Sequence, residues 1–292
     1  MFQNIINEAK IVEVGPRDGL QNELKKISVE EKIQLIDKLS KCGFDRIEVA
    51  SFVSSKWVPQ MADSDLVFKG LTRNDTISYS ALTPNLMGLE KAILCQVNEV
   101  AIFASASESF SNANINCSIK ESIERFVPLM KLAKEYSLPV RGYVSCVTDC
   151  PFEGLILPKS VQTVASRLLD LGCYEVSLGE TLGGASQQQV EVLLESILKY
   201  IPTNKLAGHF HDTKEMALEN IRVALDYGLR TFDSSVGGLG GCPYAPGASG
   251  NVATEAVVKL LKKLGYQTKL DEECINSVAL FAKNLIKNQD IS

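Results

Sequence analysis

Between Ile11 and Asn251 the chain alternates short β-rich runs with stretches of helical periodicity, about eight times over. IVEVG (Ile11 to Gly15), RIEVA (Arg46 to Ala50), TISYSAL, EVAIFAS, VRGYVSCV, YEVSLGE, KLAGHFHD and TFDSSVGG are the strand candidates. Apolar residues recur at helical spacing between most of them, as over Ser28 to Cys42, Ile119 to Tyr136, Ser160 to Leu171, Gln187 to Tyr200 and Lys214 to Tyr227. Ser28 with Glu31 three residues on forms a capping-box pattern. Gly43, Gly172 and Gly228 each follow a helical pattern, where a helix-ending glycine belongs. Strands that alternate with helices pair in parallel and need both faces covered. About eight such units close an α/β (β/α)8 TIM barrel. An open doubly wound sheet is the alternative, but no Gly-x-Gly-x-x-Gly turn follows the first strand. The reading is one domain over residues 1–292, a TIM barrel with an extra C-terminal helix. That helix, roughly Glu272 to Lys287, lies within an extension over 266–292.

A barrel of this kind takes about 250 residues, and 292 residues with 45% apolar content accommodate it. The net charge of -5 and the lack of a basic block argue against a nucleic-acid surface, which needs clustered cations. Apolar runs such as VAIFA are too short to span a bilayer. MFQNIINEAKIVEVGPRDG has neither a basic n-region nor an apolar h-region, and KNQDIS carries no lipidation signal. Eight scattered cysteines fit a reducing compartment better than a disulfide framework, so a cytoplasmic location is expected. Cys146 and Cys150, in SCVTDC, lack a paired zinc-ligand pattern and read as packing residues.

Barrel chemistry sits at the C-terminal ends of the strands. The chain has two histidines, His209 and His211, both in GHFHDTKE at the end of the seventh strand candidate. Strand residues i and i+2 share a face, so both rings project together while Phe210 turns to the helix layer. Such a pair can hold one metal ion or be two hydrogen-bonded strand-end histidines. Asp18 follows the first strand, Glu48 lies in the second, Glu180 ends the sixth and Asn251 follows the eighth. Asn251 can equally cap the last barrel helix. Asp18, Asn251 and two imidazoles supply four mixed N/O ligands, a set suited to Mg2+ or Mn2+. Arg17 can stabilise an oxyanion or pair with a neighbouring carboxylate. The glycine-rich VGGLGGCPYAPGASGN (Val236 to Asn251) can form a lid, and its Cys242 can exchange a proton or be incidental to a surface loop.

VEVGPRDGLQNE, IEVASFVSSKWVPQMAD, GYVSCV, GHFHDT and DSSVGGLGGCPYAPGASGNVATE resemble the 3-hydroxy-3-methylglutaryl-CoA lyase family over nearly the whole chain. That family sits among metal-dependent barrels that include isopropylmalate and homocitrate synthases. The resemblance implies that Asp18, His209, His211 and Asn251 bind a divalent cation. It assigns Arg17 to enolate stabilisation, Arg17 and Gln21 to substrate contact, and Glu48 and Glu180 to positioning and proton handling. Cys242 would assist proton transfer from the covering loop. The implied reaction is retro-Claisen cleavage of an acyl-CoA to acetyl-CoA and acetoacetate, as in leucine degradation and ketone-body formation, by a homodimer or larger homo-oligomer. There are three departures from the pattern: Glu180 replaces an aspartate, with a stem longer by roughly 1.5 Å; Lys214-Glu215 replaces Tyr-Gly; Leu24 replaces a lysine, beside Lys25 and Lys26. They leave two alternatives: a lyase or condensing enzyme for a related 3-hydroxy-acyl-CoA, or a weakly catalytic metal- and CoA-binding relative.

Overall fold

The computed structural model describes residues 7–287 except 243 and 244, with backbone alone at 241–242 and 245–249. Eight parallel strands close a barrel: β1 (Lys10–Glu13), β2 (Arg46–Ser51), β3 (Ser78–Leu82), β4 (Glu99–Ser105), β5 (Val140–Ser145), β6 (Glu175–Glu180), β7 (Leu206–Phe210) and β8 (Thr231–Ser234). Each strand pairs with its successor, and β1 pairs with β8 in register Lys10↔Thr231 to Glu13↔Ser234. The expected fold is therefore the observed one.

The helices are α1 (Val29–Leu39), α2 (Ser64–Gly70), α3 (Leu86–Leu94), α4 (Glu108–Ile115), α5 (Ile119–Glu135), α6 (Pro158–Leu171), α7 (Gln187–Ile197), α8 (Ala217–Asp226), α9 (Thr254–Lys263) and α10 (Glu272–Ile286). Their limits follow local chemistry. Ser28 and Glu31 make the reciprocal capping box of α1, and Ser118 with Glu121 and Ser186 with Gln189 do the same for α5 and α7. Gly172 ends α6 at φ 112°, a conformation that penalises a Cβ. The short α4, between β4 and α5, is an addition the periodicity does not single out. It has a weakly amphipathic sequence, ESFSNANI, and its N-cap is Ser107.

The apolar core lies mainly between strands and helices, where residues such as Ile47, Val49, Ile102, Val144, Val176 and Phe232 are buried. The barrel interior differs. Alternate positions place Arg46 and Glu48 of β2, Arg141 and Tyr143 of β5, Glu175 and Ser177 of β6, His209 of β7 and Asp233 of β8 inside. Near the floor, Glu175 Oε1 lies 2.9 Å from both Arg46 Nη1 and Arg141 Nε. Leu82, Ala101 and Tyr143 form a small apolar wedge above.

α10 packs against α1 and α9. Several bonds fasten it. Cys274 is disulfide-bonded to Cys42, Lys25 Nζ donates to Leu285 O at 2.7 Å, and Lys283 Nζ lies 3.1 Å from Glu255 Oε1. The disulfide corrects the expectation of unpaired thiols. Cys42 and Cys274 are 232 residues apart in sequence, and only the packing of the first and last helices brings them together. Cys146 and Cys150 are free and buried, as expected of packing residues; burial pushes the Cys146 thiol up to about 12. Among the described residues, no helix is long and apolar enough to cross a membrane.

Candidate active site

At the C-terminal mouth, β1 runs into a single π-helical turn, Gly15–Gly19, of sequence GPRDG. Gly19 N donates to Val14 O at 3.3 Å, the i to i-5 bond that defines such a turn. This bulge turns Arg17 and Asp18 over the barrel axis. Arg17 Nε donates to Glu48 Oε2 at 2.6 Å, and Arg17 Nη1 to Asp18 Oδ1 at 2.5 Å. Arg17 is 6% exposed. Burial disfavours its charge, but Glu48 and Asp18 outweigh burial and hold the guanidinium protonated.

β7 brings in the two rings. His209 Nε2 and His211 Nε2 stand 3.3 Å apart, and Asp18 Oδ2 lies 3.9 Å from His209 Nε2. Ligand atoms of Asp18, His209 and His211 all fall within 4.8 Å of one another, the one such group among the described residues. Asn251 joins them: its Nδ2 donates to Asp18 Oδ2 at 2.7 Å, and its backbone bridges His211. It does not cap α9, whose N-cap is Ala253. Burial pushes Asp18 up, yet Arg17 and the two histidines hold its carboxyl at about 2. Burial, reinforced by His209, lowers His211 to about 4. The site thus offers a carboxylate and a neutral imidazole at neutral pH, the forms a metal ligand must take. Two ring nitrogens that face each other across 3.3 Å with a carboxylate alongside fit a divalent cation of the borderline or hard kind.

The other expected residues fall in three places. Gln21 Nε2 donates to Asp18 Oδ1 at 3.0 Å, so it braces the cluster. Glu180 stays outside the cluster. It alternates with Ser177 and Gly179 and turns to the loops, where Thr148 Oγ1 and Gly184 N donate to Oε1 at 3.4 Å each. Its backbone ties it to the cluster, with His211 N donating to Glu180 O at 3.3 Å. Burial lifts its carboxyl to about 7. The Cys242 side chain lies outside the described residues. Its backbone belongs to an antiparallel hairpin, Gly241–Cys242 with Ala245–Ser249, a structure the glycine-rich sequence did not announce. The base of that hairpin touches the site: a Cβ on Gly240 would stand 2.9 Å from Asn251 Nδ2. Leu24 is fully exposed, and Lys25 is engaged with α10.

Sequence reasoning missed the layer beneath the ligands. Asp233 Oδ2 lies 3.2 Å from His209 Nδ1 and accepts from Ser177 Oγ at 2.7 Å; Arg141 Nη2 lies 2.8 Å from Asp233 Oδ1. The signal was present: polar residues alternate in TFDSS, VRGYV and YEVSL, in phase with the histidines.

A (β/α)8 barrel with two histidines and an aspartate gathered at its C-terminal mouth, a group that could hold a metal ion, defines the class. Within it, a family profile described as HMGL-like matches residues 8–281, and the chain belongs to that family. The chain is 54% identical over 271 residues to the hydroxymethylglutaryl-CoA lyase of Pseudomonas mevalonii, covering 93% of this chain and 90% of that one. It is 53% identical over 268 residues to the 3-hydroxy-3-isohexenylglutaryl-CoA/hydroxy-methylglutaryl-CoA lyase of Pseudomonas aeruginosa, covering 92% and 89%. The crystal structure of the HMG-CoA lyase from Brucella melitensis superposes with a TM-score of 0.95 at 51% identity, covering 96% of this chain and 99% of that one.

Proposed function

We propose that the chain is a divalent-metal-dependent lyase that cleaves 3-hydroxy-3-methylglutaryl-CoA to acetyl-CoA and acetoacetate. The observation that carries this reading is the convergence of Arg17, Asp18, His209, His211 and Asn251 at one barrel mouth, in a chain so close to hydroxymethylglutaryl-CoA lyases. Asp18, His209, His211 and Asn251 would hold Mg2+ or Mn2+. When bound, the cation supplies a Lewis acid that lowers the pKa of a ligated hydroxyl.

The chain's own groups supply the remainder. The C3 hydroxyl loses its proton, the C2–C3 bond breaks, and the electron pair passes to the thioester as an enolate that is reprotonated at C2. Arg17, pinned by two carboxylates, presents fixed charge to the enolate oxygen without reorganising. Glu48 sets the position of Arg17. Glu180, lifted to about 7, exchanges a proton near neutral pH more readily than an ordinary carboxylate. Cys242 delivers a proton from the hairpin. We also read the protein as a cytoplasmic homo-oligomer that takes acyl-CoA and neither nucleic acid nor a membrane.

The test strips the protein with chelator, restores Mg2+ or Mn2+, and follows acetoacetate release. Metal-dependent release, lost in His211→Ala, supports both the site and the reaction; metal binding without release sinks the substrate assignment. A longer 3-alkyl substituent is the second reading, favoured by the 53% identity to the isohexenylglutaryl-CoA lyase. Competition between the two thioesters in one assay decides it by kcat/KM.

A further inference from the structure

The two histidines of the cluster are not held alike. His209 Nδ1 faces Asp233 Oδ2 at 3.2 Å, whereas no carboxylate reaches the buried Nδ1 of His211. Asp233 is 2% exposed and sits on β8, the strand beside β7, one layer below the mouth. The register Asp233↔His209 places the two side by side on the barrel's inner face. We propose that Asp233 is the positioning residue for His209, fixing its ring so that Nε2 is presented to the cation, with Arg141 and Ser177 holding Asp233 in place. This rests on the reading of the Asp18, His209 and His211 cluster as a divalent-cation site.

The proton's location follows from the contacts. Asp233 Oδ2 already accepts from Ser177 Oγ at 2.7 Å, and Oδ1 faces Arg141 Nη2 at 2.8 Å. Arg141 is 1% exposed; its Nε donates to Glu175 Oε1 at 2.9 Å and its Nη1 to the Tyr143 hydroxyl at 2.9 Å. Arg141 carries a permanent guanidinium charge 2.8 Å from Oδ1, and Ser177 donates to Oδ2, so both carboxylate oxygens are arranged as acceptors. An ionised carboxylate only accepts, so the shared proton belongs to His209 Nδ1. The Nε2 lone pair then points at His211 Nε2, 3.3 Å away, and at Asp18. Asp233 is thus more than a counter-ion for Arg141: one oxygen serves the guanidinium and the other is aimed at the ring by Ser177. An outer carboxylate of this kind fixes the tautomer of a ligating histidine, and its loss commonly weakens metal affinity by about 10- to 100-fold.

The chain has two histidines, so its imidazole nitrogen spectrum contains two ring systems and is assignable with His211→Ala. The experiment is 15N NMR of the metal-free protein, titrated upward in pH until the nitrogen shifts of both rings stop changing, together with Mn2+ titration followed by EPR. The expected result is a proton on His209 Nδ1 in the wild type. In Asp233→Asn that preference is lost and Mn2+ affinity falls by about 10- to 100-fold, while the His211 signals keep their pattern. A merely structural role for Asp233 leaves the tautomer of His209 where it was. A wild-type His209 protonated on Nε2 overturns the proposal, and this spectrum decides even where Asp233→Asn does not fold. Mn2+ bound equally by wild type and Asp233→Asn also overturns it. Wild-type protein that binds no Mn2+ overturns the cation-site reading itself, a failure the ring spectrum tells apart.

Discussion

Arg17 reaches from the π-helical turn after β1 to Glu48 on β2, its Nε 2.6 Å from Glu48 Oε2, and Glu48 is 1% exposed. A buried carboxylate of this kind depends on its single cation. In Arg17→Gln, Glu48 is left buried without its cation, which costs about 3–5 kcal/mol of stability. Loss of the enolate-facing charge lowers kcat by about 100- to 1000-fold. Steady-state kinetics and urea denaturation check both; an unchanged kcat in folded Arg17→Gln removes the arginine from the reaction.

Gly19 closes the turn that carries Asp18. A Cβ there would stand 2.7 Å from Leu239 Cβ and 3.1 Å from Leu239 O, and a backbone oxygen yields little. Gly19→Ala therefore displaces the turn. The expected cost is about 1–3 kcal/mol, with activity down on the order of 100-fold if Asp18 moves by about 1 Å. Circular dichroism and an activity assay separate this local shift from unfolding, and full activity in Gly19→Ala contradicts it.

Glu13 accepts from Gly15 N, Val236 N and Thr254 Oγ1. Burial lifts its carboxyl to about 7, more than these three donors lower it. The folded protein therefore holds this proton more tightly than the unfolded chain. The resulting stabilisation is complete below about pH 4.5 and is lost as pH rises through about 7, at most roughly 3 kcal/mol. Glu13→Gln is neutral throughout, so its denaturation midpoint should decline less than the wild type's between those values. Parallel curves for the two proteins would show that Glu13 stays ionised.

The Cys42–Cys274 bond spans 232 residues of sequence. Chain-entropy arithmetic for such a loop gives about 5 kcal/mol, or a fall of roughly 10 °C in Tm on reduction. Calorimetry with and without dithiothreitol, set against Cys42→Ser, measures it. Equal Tm values for oxidised wild type and Cys42→Ser mean that helix packing alone secures α10.

Much of this was legible in the sequence because it is written at short range. The period of alternation gave the barrel, Ser28 and Glu31 gave the start of α1, and His209 with His211 gave a shared face. Asp18 and Asn251 were legible as strand-end residues near that face. What escaped depends on pairs remote in sequence. Arg141 and Asp233 meet only once the barrel has closed, and so do Cys42 and Cys274. Glu180 was placed at the right strand end, but its carboxylate turns to Thr148 and Gly184, since one residue along a strand reverses the direction of a side chain.

The charged filling of the barrel bears on protein engineering. Barrel mouths are commonly treated as interchangeable loops on an inert scaffold. Here, grafting the two histidines onto a barrel packed with valine and leucine would transfer the ligands without Asp233, Ser177 and Arg141 beneath them. The unit that could be transplanted is a column, from Glu175 at the floor to Asp18 at the rim, and it has to travel whole.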